Sequence, residues 1–95
     1  VYCELLEAGR KYNMANQLFR SGTSIGANVR EAQGAESKAD FIHKMKIAYK
    51  ESEEAKYWLE LCKSSANYPT VSENLTADIN SIQRVIGKII TTSKS

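Results

Sequence analysis

Residues 37–63 read SKADFIHKMKIAYKESEEAKYWLELCK, and this stretch decides the fold. Apolar or small residues fall at Phe41, Met45, Ala48, Ser52, Ala55, Leu59 and Cys62, alternating steps of four and three. That rhythm keeps one face of an α-helix apolar. No Gly or Pro interrupts it. Ser37 can cap the start, and Asp40, three residues on, can reach back to the amide of the cap. The spacing predicts one helix over 37–63, about 40 Å long at 1.5 Å per residue.

The flanking sequence is patterned to lie against this helix. Upstream, Ala15, Leu18, Gly22, Ile25, Val29 and Ala32 repeat the three-and-four rhythm and predict a helix over about 14–33. Asn13 is its expected cap, and Gly34 suits the left-handed residue that ends a helix. Gly22 and Gly26 each cost this helix roughly 1 kcal/mol against Ala. With Ala27 they form a small-residue surface that a neighbouring helix can approach closely. The first helix is expected over 1–11, with Val1, Leu5, Ala8 and Tyr12 on one face and Gly9 weakening its end. At about 17 Å it is too short to cover the long helix. The chain opens on Val rather than Met. These points predict either residues upstream of Val1 or another subunit against the uncovered face.

Downstream, residues 64–68 and Pro69 form the clear loop. Thr70 followed by Glu73 has the form of a capping box. Leu75, Ile79, Ile82, Ile86 and Ile89 predict a fourth helix over 70–91, with a tail at 92–95 that should fray. Four seams with short connections predict one all-α domain over 1–95, an antiparallel up-down-up-down four-helix bundle.

Composition narrows the class. Apolar residues make up 42% and charged residues 25% of the 95, the profile of a globular domain. No run approaches the ~18 apolar residues of a membrane span, and no secretory signal pattern stands at the front. The expected location is cytoplasmic, with no membrane partner. Net charge is +2, mildly basic and compatible with an anionic partner. Cys3 and Cys62 match neither a zinc spacing nor a redox pair and are expected to be free thiols.

Chemistry-bearing residues are sparse. Asp40 and His43, at i and i+3, could face one metal, but a bundle metal site needs a second such pair, and His43 is the one histidine. Residues 21–26, SGTSIG, resemble a phosphate loop without its following Lys or preceding strand. No Ser or Cys has an evident base and orienter. The expectation is no enzyme, no metal and no cofactor. Ser24, Asn28 and Glu31 form a polar stripe beside the apolar seam and are expected to hydrogen-bond a neighbouring helix. Lys38, Lys44, Lys46 and Lys50 cluster on the third helix, and Arg84 and Lys88 make the end of the fourth basic. Together they are a candidate surface for nucleic-acid phosphates. Phe19, Ile42, Tyr57 and Trp58, with Ile47, Tyr49, Val85 and Ile90, lie off the main seams and are candidate interface residues.

Residues 21–48, SGTSIGANVREAQGAESKADFIHKMKIA, followed by EAKYWLEL at 54–61, carry a family resemblance. They resemble the bacterial four-helix-bundle proteins encoded within intervening sequences of large-subunit ribosomal RNA genes. Ser24, Asn28, Glu31, Lys38 and Phe41 stand in that family's most characteristic stretch. The resemblance implies a left-handed bundle that assembles as a ring of five. It also implies kinship with the accessory variability protein of diversity-generating retroelements, a more basic pentamer that binds nucleic acid and a reverse transcriptase. It supplies no catalytic residue. The expected function is a non-enzymatic homo-oligomer, a pentamer, that binds RNA or DNA through its basic surface. The alternative is a protein–protein scaffold that engages a partner enzyme through Tyr57 and Trp58.

Overall fold

Ser37 opens the longest helix as its spacing predicts: its Oγ accepts a hydrogen bond from the Asp40 amide at 3.0 Å. The computed structural model describes residues 1–94 and places them in four α-helices, with no strand among the described residues. These are α1 (Tyr2–Ala8), α2 (Tyr12–Gln33), α3 (Lys38–Lys63) and α4 (Glu73–Lys94). The chain is an all-α four-helix bundle with antiparallel neighbours.

Side-chain pairs fix the directions. Arg20 on α2 meets Glu51 and Glu54 on α3, while Glu31, a long way further along α2, meets Lys44 near the start of α3. The two helices therefore run in opposite senses. Gln83 on α4 bonds both Lys56 and Glu53, and Gly87 faces the Tyr49 ring, so α4 also runs against α3. A Cβ on Gly87 would stand 3.3 Å from Tyr49 Cε2, so glycine lets α4 come close at this level. α3 is the central helix. The backbones of α2 and α4 lie on either side of it and do not approach each other.

The α3 seam is buried as the spacing requires: Met45, Ala48, Ser52, Ala55, Leu59 and Cys62 are all inside and Phe41 is half-buried. Around it sit two apolar clusters. One joins Leu6, Ala15, Leu18, Leu59, Cys62 and Val71. The other joins Ile25, Ala32, Met45, Ala48, Ala55 and Ile86.

Several local expectations are corrected. α1 ends at Ala8, because the chain reverses through Arg10 at φ 63°, a left-handed residue. Its buried face is Leu6 with Tyr2 and Cys3, whereas Val1, Leu5 and Tyr12 are exposed. α2 starts at Tyr12, so Asn13 lies inside the helix and caps nothing. Gly34 ends α2 with φ −97°, outside the left-handed region. α4 starts three residues later than the capping-box pattern predicts. Ser72 Oγ accepts from the Leu75 amide at 3.1 Å and takes the role assigned to Thr70. Its helix continues through Lys94, and of the tail expected to fray only Ser95 lies outside the described residues. Gln83 and Ile86 are its buried residues, while Ile82 is 42% exposed. No helix among the described residues is long and apolar enough to cross a membrane.

Candidate nucleic-acid interface

Antiparallel register decides which charges become neighbours. The Glu31–Lys44 and Gly87–Tyr49 pairings put the C-terminal half of α2, the N-terminal half of α3 and the C-terminal half of α4 at one end of the molecule. That end holds Arg30, Lys38, Lys44, Lys46, Lys50, Arg84, Lys88 and Lys94, eight of the chain's 13 basic residues. It holds only Glu31, Glu36 and Asp40 of its 11 acids. The other end carries the remaining eight acids and five bases. A nearly neutral chain is thus folded into a strongly bipolar particle.

The basic residues differ in availability. Lys46 and Lys50 are exposed on the same face of α3 as His43, away from the Met45 seam, and no carboxylate meets either among the described residues. Lys88 is exposed and unpaired in the same sense, and the Gly87–Tyr49 contact sets it between the levels of Lys46 and Lys50. Arg84 is exposed and donates to Ser81 Oγ at 3.3 Å. Lys38 is exposed in the first turn of α3. Lys44 is only 29% exposed and is engaged by Glu31 at 3.1 Å. Of the predicted contact lysines, Lys46, Lys50 and Lys88 meet no carboxylate among the described residues, and Lys44 is paired.

The polar stripe divides in the same way. Glu31 does tie α2 to α3, through Lys44. Asn28 does not reach a neighbour: its Nδ2 donates to the Ser24 carbonyl one turn back on its own helix, at 2.8 Å. The inter-helix tie the sequence did not announce is centred on Glu54. Its carboxylate accepts from Arg20, from Ser21 Oγ at 3.3 Å and from Trp58 Nε1 at 3.3 Å. These donors, the Trp58 indole first and then Arg20, hold the Glu54 carboxyl below the usual carboxylate range against the opposing effect of burial. Arg20 also meets Glu51 at 3.4 Å. The available signal was a buried serine, Ser21, one residue from a seam position. A second tie runs Lys56–Gln83–Glu53 between α3 and α4.

The candidate interface residues scatter. Phe19 is 65% exposed on the outer side of α2, beside Cys3 and Glu7 of α1. Ile42 is half-buried. Tyr57 is 54% exposed and sits edge-on to Trp58, ring centroids 5.1 Å apart, while Trp58 is half-buried with its indole N–H turned to Glu54. They do not form one patch. Cys3 and Cys62 are both free and share the α1-side cluster. Burial pushes the Cys3 thiol up from its ordinary value. Burial, with a hydrogen bond to Cys62, also pushes the Tyr2 phenol up. Neither side chain is ionised near neutrality. No group of three His, Cys, Asp or Glu among the described residues could hold a metal ion, and Asp40 and His43 gather no further ligand.

Residues 2–88 match the model of a family described as 23S rRNA-intervening sequence protein. Among solved structures, the fold matches a protein of unknown function from the S23 ribosomal protein family of Bacteroides thetaiotaomicron VPI-5482. The TM-score is 0.74 and the identity 41%, over 95% of this chain and 82% of that one. No curated protein matches the chain.

Proposed function

From the premise that the chain belongs to the 23S rRNA-intervening sequence protein family, we propose that it is a non-enzymatic, self-associating helical bundle that binds RNA or DNA through its basic end. The observation that carries this reading is the segregation of charge: eight of 13 bases and three of 11 acids at one end. Nucleic-acid backbones attract such an end whatever their sequence. Lys46, Lys50 and Lys88 supply unpaired ammonium groups to phosphates, and Arg84 a guanidinium. Assembly into a ring of five, which the sequence resemblance implies, would repeat that end around one collar. The proposed nucleic acid is structured RNA linked to ribosomal RNA fragments or to a retroelement.

Electrophoretic or anisotropy titration of a structured RNA tests the reading. Affinity is expected to fall linearly on a log–log salt plot, by about 0.7–0.9 per phosphate neutralised. Lys46→Glu with Lys50→Glu should weaken binding to all sequences alike. An absence of binding at low salt by folded protein would remove the proposal. The second reading is a scaffold for a partner enzyme such as a reverse transcriptase, for which the exposed Tyr57 ring is the supporting observation. Tyr57→Ala separates the two, since it should leave RNA affinity unchanged.

A further inference from the structure

Beside the Lys56–Gln83 tie, α3 and α4 enclose a recess of about 220 Å³. Its floor is apolar, formed by Leu59 and Ile79. The recess opens on the side of the α3–α4 contact that faces away from α1. With 3.6 residues per turn, Lys56, Glu60 and Lys63 stand to one side of Leu59, and Ala55 and Cys62 to the other. On α4, Thr76 and Asn80 stand to one side of Ile79, and Leu75 to the other. α1 packs on the Ala55 and Leu75 side, through Tyr2 and Cys3.

Five polar side chains ring the floor: Lys56, Glu60, Lys63, Thr76 and Asn80. Of these only Lys56 is engaged, its Nζ donating to Gln83 Oε1 at 2.9 Å and closing one end of the recess. Glu60 and Lys63 stand three apart on one helix face, a spacing that permits an ion pair, yet neither side chain meets an opposite charge among the described residues. The half-buried Asn80 amide has no hydrogen-bond partner among the described residues. Nor has Thr76 Oγ1, which is shut away from water. A helical Thr divides between two χ1 wells, and one such step turns this hydroxyl into the recess. Half-buried polar groups are normally bonded. Four unmatched ones around one apolar floor suit a ligand with several polar atoms on a hydrocarbon body.

Charge and volume select its class. Glu60 in the lining answers one of the two lysines, and Glu53 and Glu73 each stand one turn outside it, before Lys56 and Thr76. A net anion therefore gains little here, whereas a ligand carrying both charges finds a partner for each. A cavity of roughly 150 Å³ accepts one benzene. The recess is somewhat larger, so it takes a branched or single-ring body with a small polar head.

We propose that the recess binds a free α-amino acid with an apolar side chain. The carboxylate meets Lys63, the ammonium meets Glu60, and the side chain lies on Leu59 and Ile79. The Asn80 amide and the Thr76 hydroxyl complete the carboxylate's hydrogen bonds. None of these residues belongs to the basic end, so the proposal stands independently of nucleic-acid binding.

Nuclear magnetic resonance titration of the whole chain with L-leucine tests it. Isocaproate, which lacks the ammonium group, and isoamylamine, which lacks the carboxylate, are run alongside. Leucine is expected to bind saturably with a Kd of about 1 mM or lower. Its shifts should centre on the Asn80 side-chain amide and the Leu59 and Ile79 methyls. Each analogue should bind at least about tenfold more weakly, because it leaves one charged partner unmatched. Glu60→Gln should narrow the gap between leucine and isocaproate, and Lys63→Gln the gap between leucine and isoamylamine. Both residues are exposed, so circular dichroism should show both variants folded. Thr76→Val should weaken leucine binding severalfold. Shifts centred elsewhere, equal binding of the three compounds, or unchanged gaps in the folded variants would overturn the proposal. So would the absence of saturable shifts at about ten times that concentration.

Discussion

Glu54 shows how far one carboxylate can organise a pair of helices. Arg20, Ser21 and Trp58 all donate to it, and its carboxyl is held below the ordinary range. An unfolded glutamate titrates at about 4.3. Because the folded value is lower, the stabilisation is complete above the unfolded value and is lost as pH falls through the folded one. Glu54→Gln keeps the shape but removes the charge. It is expected to cost about 1 kcal/mol near neutral pH, a cost that shrinks as pH falls through the folded value, as read by urea unfolding across an acid series. Arg20 is half exposed, so Arg20→Ala should lose less, about 0.5 kcal/mol, and that loss should shrink in high salt. Thr76 is the opposite case. Its Oγ1 is buried with no hydrogen-bond partner among the described residues. Thr76→Val removes an unsatisfied oxygen at constant shape and is expected to raise the melting temperature, by up to about 1 kcal/mol of stability. A lower melting temperature would show that the hydroxyl has a bonding partner.

At the scale of the element, caps make the sharpest forecasts. Ser37→Ala and Ser72→Ala should each cost about 1 kcal/mol, while Thr70→Ala should be nearly silent, because Ser72 holds the α4 amide. Thermal unfolding of the three variants ranks them directly. The same contrast explains what was legible in the sequence. α3 could be read to within a residue because its seam is long, uninterrupted and capped. α1 could not, because over two turns the inward face is set by one fully buried residue, Leu6, with Tyr2 and Cys3 half-buried beside it, and by the reversal at Arg10, which no periodicity encodes. On α4 the buried Gln83 hid the inward face, since its burial depends on Lys56 and Glu53 arriving from another helix. The charged residues were visible one by one. Which of them are free was not, because the Glu31–Lys44 pairing, between residues 13 positions apart, is set by the register of two helices. The small residues of α2 were visible as a docking surface, but only the fold shows that a Cβ on Gly22 or Gly26 would meet no atom of the described residues within 4 Å.

The whole molecule is an elongated particle, 45 × 20 × 16 Å, with its bases gathered at one end of the long axis. The polarity bears on footprint and crowding. Two postures on a polyanion are open to such a particle: upright on its basic end, or lengthwise along the Lys46 and Lys50 face of α3. An upright copy covers about six base pairs of duplex at 3.4 Å each, whereas one lying lengthwise would cover about thirteen. Saturating a duplex of known length and counting bound copies by analytical ultracentrifugation distinguishes the postures: the dense count would place the whole basic end on the duplex, the sparse count the Lys46 and Lys50 face. Upright copies would also point their carboxylate-rich tips outward. A fully coated nucleic acid would then keep an anionic exterior, built of protein carboxylates in place of phosphates.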